Sequence, residues 1–409
     1  MERLISALGL IVFIGLAILL SAKRNAIKWE TVLWGIGLQL LFALLILKSK
    51  TGLAVFKFIA DIISQLLKFS DAGAKFVFGE NYLEHFFAFQ ILPTIIFFSS
   101  LITILYHYGI LQQVVKAFAW IMLKTMKTSG TESLACSANI FVGSTEAPLM
   151  IKPYVKTMTK SELHAVMTGG FATVAGGVLA AYISFGVPAE HLIAASVMSA
   201  PAALAISKIL LPETEESPTA GTVKVEVEQT YANVIDAATL GAKEGAKLAV
   251  NVAAMLIAFL GLVAMVNGLL AWIGNGIGLP QLSLEWVFSL LFAPVAWLMG
   301  VPWGDCPQVG ILLGKKTILN EFIAYLDLKT LIENAQKGEM VNVISERSQI
   351  IATYALCGFS NIGSIAVQIG GISTIAPSRQ GDLAKLGVRA MIGGSIACFM
   401  TACIAGILL

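Results

Sequence analysis

Long apolar windows without a charged residue divide the chain. A helix needs about 20 such residues to cross the hydrocarbon core of a bilayer. The runs are continuous and do not alternate with polar residues, which favours helices over barrel strands. The pattern therefore predicts an all-α polytopic membrane protein with about eight transmembrane helices. The windows cover residues 5–22, 31–47, 86–106, 165–189, 192–207, 248–284, 286–304, 348–378 and 390–409.

Two of these windows are too long for one crossing. Residues 248–284 end in a glycine-rich stretch before Pro280, which predicts one long span followed by a turn. Residues 348–378 contain the small and polar run from Cys357 to Ser364 near their middle, which predicts a broken helix.

Two pairs of short apolar stretches cannot cross the membrane and predict re-entrant helical hairpins. Residues 133–145 and 147–151 flank Glu146, and residues 304–314 and 317–325 flank Lys315 and Lys316 and include Glu321. A gapped helix and then a plain span follow each pair. Interrupted segments at corresponding places in two halves indicate inverted repeats with a transporter site near the midplane. The predicted domains are 1–128 (scaffold), 129–211 (first repeat), 212–284 (acidic linker and long scaffold helix) and 285–409 (second repeat).

The remaining segments predict interfacial helices and a linker. Residues 53–69 and 110–125 have apolar positions at helical spacing with charges between them, which is typical of helices lying in the membrane interface. The acidic stretch 211–230 is interpreted as a mobile linker.

Lysine and arginine in three short loops, near residues 23–28, 152–160 and 379–389, predict that these loops are cytoplasmic. Both termini then face outward. The first window is interpreted as a retained span, because no small-residue cleavage site follows it.

Composition agrees with a membrane protein and excludes several other classes. The chain is 57% apolar and 13% charged, and its net charge is +2. That balance does not provide the basic face of a nucleic-acid binder. The five cysteines are an odd number spread over 409 residues, which favours buried thiols over a disulfide framework. No hydrolase, phosphate-binding or zinc motif occurs, so we expect neither an enzyme nor a cofactor.

Acidic residues at membrane depth are costly and therefore indicate function. Glu146 and Glu321 are the two candidates. The alternatives are that Glu146 is solvated at the mouth of its hairpin and that Glu321 pairs with Lys315 or Lys316. Neither alternative is excluded by the sequence.

Several neutral polar residues are further candidates. Asn139 and Thr173 offer oxygens that suit a hard monovalent cation, or they bond one helix to another. Asn361 and Ser364 share one helical face. Phe359 lies nearby and either stacks on a flat ring or belongs to the core.

Five segments together make the chain resemble the concentrative nucleoside transporter family. The resemblance implies a homotrimer in which an inner transport domain holds both hairpins and both broken helices. It also implies import of nucleosides by symport with sodium, through an elevator-like movement, across a bacterial cytoplasmic (inner) membrane. The segments are Ala138–Pro148, Gly169–Val178, Asn320–Phe322, Cys357–Ser364 and Ala376–Arg379.

The resemblance also implies roles for individual residues. The nucleobase would be bound by Ser144, Thr145, Glu146 and Val178. The ribose would be bound by Glu321, Asn361 and Ser364, with Phe359 beside them. Sodium would be bound by the side chains of Asn139 and Thr173 and the carbonyls of Val142 and Val174. Many family members carry Gln where this chain has Ser144, so the base preference stays open.

Two rival functions remain at this point. The nearer one is a proton-coupled nucleoside symporter, in which an acidic residue carries the proton. The other is a hairpin transporter for another small polar solute. An anionic solute is disfavoured because the candidate site is itself acidic.

Overall fold

The computed structural model of the chain describes residues 1–221, 231–337 and 343–409. That part of the chain contains seventeen α-helices, with short 3-10 and π-helical segments between them, and no strand. The helices are α1 Glu2–Leu19, α2 Trp29–Leu47, α3 Lys50–Lys68, α4 Ser70–Phe78, α5 Leu92–His107, α6 Ile110–Met126, α7 Gly130–Ala138, α8 Lys160–Ala172 and α9 Gly176–Ser184. They continue with α10 Ala189–Leu210, α11 Val234–Ile277, α12 Leu284–Leu298, α13 Cys306–Ile318, α14 Glu321–Gln336, α15 Glu346–Leu356, α16 Ile362–Ile375 and α17 Gln380–Leu408.

The predicted all-α membrane architecture is confirmed. Seven helical segments of the described chain are long and apolar enough to cross a bilayer, and α12 and α16 are shorter apolar helices. The two predicted broken helices are present: α8 and α9 are separated at residues 173–175, and α15 and α16 at residues 357–361. All five cysteines are buried and free, as their odd number and wide spacing predicted.

The helices divide into a buried inner group and an exposed outer group. The most apolar windows of α10 and of α8–α9 are 94% and 83% buried, whereas that of α11 is only 11% buried. Helix α11 has 44 residues, so it is about 66 Å long. It begins well before the predicted window, because Asn233 accepts hydrogen bonds from the first backbone amides of the helix. The inner helices therefore form the core, and α11 lies outside it against α5.

The three basic loops meet at one end of the bundle. Arg379 Nη1 donates to the carbonyl of Met158 over 2.7 Å, and Lys160 Nζ lies 4.0 Å from a carboxylate oxygen of Asp382. The amide of Ala22 donates to the carbonyl of Leu210 at the same end. This shared position agrees with the charge pattern, and the assignment of that end to the cytoplasm stays a prediction.

The mobile linker is a prediction that the structure corrects for the residues it describes. Residues 213–219 are fixed against the base of the first hairpin, where Glu213 accepts a hydrogen bond from Thr159 Oγ1 over 2.7 Å. The carbonyl of Thr219 accepts from the amide of Gly130 over 3.0 Å. Acidity suggested solvation, but these polar groups pair with buried partners instead. Residues 222–230, the rest of that prediction, lie outside the described residues.

A buried ion cluster, formed by Glu132, Glu162, Lys208 and Glu213, holds this base together. Lys208 Nζ lies 2.6 Å from Glu132 and 3.6 Å from Glu213, and it is 6% exposed. Glu132 and Glu162 also complete capping boxes at the starts of α7 and α8. The cluster thus joins the first hairpin, the first broken helix and the end of α10.

Candidate functional site

The first hairpin has one helical limb and one short 3-10 limb. Helix α7 ends at Ala138, a turn follows, and the 3-10 segment covers Ala147–Ile151. Within the turn, the amide of Gly143 donates to Glu146 Oε2 over 2.7 Å. Glu146 is otherwise exposed at the tip. Among the described residues this local bond is the one hydrogen bond of the Glu146 side chain, so its carboxylate keeps most of its acceptor capacity for another molecule.

The second hairpin has two full helical limbs, α13 and α14. The break lies at residues 319–320, a few residues after the predicted break at Lys315 and Lys316. Asn320 begins the second limb, because its Oδ1 accepts from the amide of Ile323 over 3.0 Å. Glu321 is consequently the first residue of α14, where the positive end of the helix dipole favours an anion.

Neither lysine of this hairpin forms an ion pair with Glu321. Lys315 lies 2.7 Å from Asp327 and 3.5 Å from Glu285, and Lys316 donates to the carbonyl of Ala355 over 2.8 Å. These partners also explain why the helix continues through two adjacent charges. The alternative interpretation of Glu321 as the partner of these lysines is therefore wrong.

Glu321 is held instead by two neutral donors from the broken helices. Tyr182 Oη donates to Oε1 and Asn361 Nδ2 donates to Oε2, each over 3.1 Å, and Glu321 is only 4% exposed. The other end of the Asn361 amide accepts from the backbone of Ser364 over 2.8 Å. A carboxylate has about four lone-pair sites, so these donors leave acceptor capacity free. The arrangement can bind a ligand that supplies hydroxyl donors.

Tyr182 is a site residue that the sequence pattern did not predict. It stacks on Tyr325 with ring centroids 4.1 Å apart, and Phe322 packs beside it. It lies inside an apolar window, where an aromatic side chain is expected in the core. The available signal was its hydroxyl, because a tyrosine buried at membrane depth needs a hydrogen-bond partner. Val178, one helical turn before Tyr182, is 3% exposed on the same face of α9.

The breaks of the two interrupted helices contact each other. The amide of Phe359 donates to the carbonyl of Thr173 over 3.3 Å, and Ser360 Oγ donates to the carbonyl of Phe171 over 2.7 Å. Breaking a helix frees backbone groups that must find partners away from water. The second break therefore supplies hydrogen-bond donors for backbone carbonyls at the first. Phe359 lies half-buried at their junction.

Two of the candidate cation residues, Asn139 and Thr173, lie beside Gly169. Thr173 Oγ1 donates to the carbonyl of Gly169 over 2.9 Å, and Asn139 Nδ2 lies 3.3 Å from the point where a Cβ of Gly169 would stand. Asn139 is 1% exposed, and neither end of its amide has a partner among the described residues. Val142 and Val174 are buried nearby in sequence, at 8% and 1% exposure. An orphaned amide oxygen suits a hard monovalent cation.

The tip of the first hairpin packs against helices of both repeats. Ser144 lies against Gly170 of α8, and Thr145 lies against Gly371 of α16. The structure thus brings Ser144 and Thr145 together with α8 and α16. It separately brings Glu321 and Asn361 together with α9. Because α16 carries Asn361 at its start and Gly371 further along, it connects the two groups.

Three family models cover nearly the whole chain. One described as "Na+ dependent nucleoside transporter N-terminus" matches residues 8–81, and one described as "Nucleoside recognition" matches residues 88–189. One described as "Na+ dependent nucleoside transporter C-terminus" matches residues 191–406, which is more than half of the chain.

Curated relatives match along the full chain but are longer. Solute carrier family 28 member 3 of Homo sapiens is 49% identical over 414 residues, which cover 100% of this chain and 60% of that protein. Sodium/nucleoside cotransporter 1 of Homo sapiens is 44% identical, with 100% and 64% covered. This chain therefore spans about three fifths of the length of these relatives.

Solved structures match over almost their full length. CNTnw in an inward-facing substrate-bound state superposes with a TM-score of 0.92 at 41% identity, covering 100% of this chain and 98% of that one. A variant of CNTnw in an outward-facing state gives a TM-score of 0.94 at 42% identity, with the same coverage.

Proposed function

This chain belongs to the Na+-dependent nucleoside transporter family, and we propose that it imports nucleosides by symport with sodium. The substrate would be bound between the two hairpins and the two broken helices. Solved structures of CNTnw include inward-facing and outward-facing states, which supports alternating access in an elevator-like movement here.

The observation that carries this proposal is the environment of Glu321. A buried carboxylate that is held by Tyr182 and Asn361, and paired with no lysine or arginine of the described chain, can still accept hydrogen bonds. The two neighbouring hydroxyls of ribose supply two donors in one rigid unit. Ser364 follows Asn361 on the same helix and adds a hydroxyl to this sugar site. The nucleobase then extends toward Ser144, Thr145, Glu146 and Val178, with Phe359 beside the sugar.

Sodium would couple to this site through the first hairpin. Asn139 and Val142 immediately precede the tip, so an ion bound by them, Thr173 and Val174 would order the residues that contact the base. Coupling of this kind requires only that the ion stabilises the substrate-binding form. One sodium ion entering across about 100 mV releases roughly 2.3 kcal/mol, which is enough to drive accumulation of an uncharged solute.

The assembly and location are part of the same proposal. We propose a homotrimer in a bacterial cytoplasmic membrane, in which residues 1–128 and 212–284 contribute scaffold and residues 129–211 and 285–409 form the two repeats. The exposed apolar surface of α11 supports a scaffold position, since it is available to lipid and to neighbouring copies.

The test is uptake of radiolabelled uridine and adenosine by proteoliposomes that contain the purified chain. We expect uptake against a concentration gradient with an inward sodium gradient, and little uptake when choline replaces sodium. Uptake that follows an imposed pH gradient and ignores sodium would support the proton-coupled alternative, with Glu146 or Glu321 as the proton carrier. Uptake of neither nucleoside under any gradient would contradict the proposal.

A further inference from the structure

Helix α16 contains a buried side-chain amide, that of Gln368, to which the expected site gives no role. Gln368 is 1% exposed, and neither its Nε2 nor its Oε1 has a hydrogen-bond partner among the described residues. Buried polar side chains in folded proteins nearly always have a partner. An amide that is open at both its donor and its acceptor therefore points to a ligand.

The position of Gln368 along α16 relates it to the proposed sugar site. Asn361, Ser364 and Gln368 are spaced by three and four residues, so they follow one face of the helix. Gln368 lies about 10 Å further along the axis than Asn361, at a rise of about 1.5 Å per residue. It is thus displaced from the sugar end of the site along the same helix face.

Contacts around Gly170 show what lies opposite Gln368. The point where a Cβ of Gly170 would stand is 2.9 Å from Gln368 Nε2 and 2.8 Å from Ser144 Cβ. The two side chains therefore share a space that exists because residue 170 has no side chain. Thr145 packs on Gly371, less than one turn further along α16. Gln368 consequently lies at the tip of the first hairpin, beside the residues expected to contact the base.

We propose that Gln368 is a specificity-determining residue that binds the hydrogen-bonding edge of the nucleobase; this rests on the proposed function. Its amide offers one acceptor and a donor group side by side. That pair complements the adjacent N–H and C=O of uracil, and the same pair on hypoxanthine. Ser144 has only a short hydroxyl, so Gln368 supplies the amide at this point of the site.

Another buried glutamine provides a matched control. Gln39 is fully buried in α2, and its Nε2 donates to Thr401 Oγ1 over 2.7 Å. It is therefore a structural amide with a partner inside the protein. Replacing either glutamine by methionine keeps the side-chain length and removes the hydrogen bonds.

The experiment compares KM values for methylated and unmethylated substrates in proteoliposomes of the wild type, Gln368→Met and Gln39→Met. The substrate pairs are uridine with 3-methyluridine and inosine with 1-methylinosine, in which the methyl group blocks the edge N–H. We expect the wild type to bind the unmethylated member roughly tenfold more tightly, since an unmade buried hydrogen bond has about that effect. The ratio should fall toward one in Gln368→Met and stay at the wild-type value in Gln39→Met.

Two outcomes would overturn the inference: a wild type that does not discriminate against the methylated substrates, and a Gln368→Met variant that keeps the wild-type ratio. If Gln368→Met does not reach the membrane, Gln368→Asn serves instead, because it withdraws the amide by one methylene and must also lower the ratio. A wild type that transports no nucleoside at all would overturn the proposed function itself, so the two failures are distinguishable.

Discussion

The two hairpins each carry one acidic residue near the tip, but they treat it in opposite ways. Glu146 is exposed, and its side-chain hydrogen bond within the described part of the chain is to the amide of Gly143 in its own turn. Glu321 is buried at the start of a 16-residue helix and is bonded by side chains from two other helices. The second limb of the first hairpin is a five-residue 3-10 segment, whereas both limbs of the second are full helices.

This difference favours separate roles for the two carboxylates. A carboxylate that is fixed by several partners recognises a ligand of one geometry, because the cost of orienting it has been met during folding. A carboxylate in a short turn adapts to ligands of different shape. The sugar is the same in every ribonucleoside and the base differs, so a rigid sugar site and an adaptable base site suit the proposed substrate class.

The sharpest test of this contrast pairs Glu321→Gln with Glu146→Gln. Glutamine keeps the size of the side chain but loses the charge and one acceptor. In the proposed site Glu321 accepts two charge-assisted hydrogen bonds from the sugar, and such bonds contribute about 1.5–3 kcal/mol each, so we expect kcat/KM for uridine to fall about a thousandfold in Glu321→Gln. Glu146→Gln should lower it by no more than about tenfold. Equal losses in the two variants would remove the distinction between the hairpins.

The variant Lys208→Met tests whether the buried ion cluster stabilises the base of the first hairpin. The substitution leaves the buried Glu132 and the half-buried Glu213 without their cation, and breaking a buried pair typically costs about 3–5 kcal/mol. We expect a loss of about 3 kcal/mol in the free energy of unfolding, measured by denaturation of the detergent-solubilised protein.

Lys329→Met is the control for this measurement. Lys329 pairs with Glu333 one turn away on a more exposed face of α14, where an ion pair contributes about 0.5 kcal/mol or less. Similar destabilisation by both substitutions would show that the buried ion cluster is not what fixes the base of the hairpin.

Much of this architecture could be predicted from the sequence because hydrophobic length is a strong signal in a membrane. The spans, both broken helices and the existence of both hairpins follow from charge-free windows and the small residues that interrupt them. The end of the first limb of the second hairpin was misplaced, because Lys315 and Lys316 find partners on α12, α14 and α15. Charge alone does not reveal whether such partners exist.

The contacts of residues 213–219 and of Tyr182 could not be predicted from the sequence, for a related reason. Residues 213–219 are polar, and only the fold shows that Thr159, Glu162 and Gly130 are there to bind them. Tyr182 is 139 residues from Glu321 in sequence, so no local pattern connects them. The roles assigned to the site residues stay predictions, and the contacts of Glu321 and Asn139 define how to test them.

The sodium dependence of uptake tests whether Asn139, next to the first hairpin's tip, is a sodium ligand. Asn139→Leu replaces a buried amide that has no partner in the described ranges by an apolar group of similar size. We expect the sodium concentration for half-maximal uptake to rise roughly tenfold, equal to about 1.4 kcal/mol, without loss of thermal stability. Asn251→Leu on the exposed surface of α11 is the control and should leave sodium dependence unchanged. An unaltered sodium response in Asn139→Leu would exclude Asn139 as a ligand.

The smallest expected effect comes from Tyr182→Phe, which tests whether the hydroxyl of Tyr182 has a role in substrate binding apart from the packing of its ring. Tyr182→Phe removes the hydroxyl that donates to Glu321 and keeps the ring stacked on Tyr325. Because one hydrogen bond is worth about 1 kcal/mol, we expect KM for uridine to rise roughly fivefold. Tyr325→Phe is matched in ring, burial and stacking, but its hydroxyl donates to the carbonyl of Thr353. It should lower stability by a similar free energy and leave KM unchanged. If both variants alter KM equally, the aromatic packing shapes the site and the hydroxyl on Glu321 has no separate role.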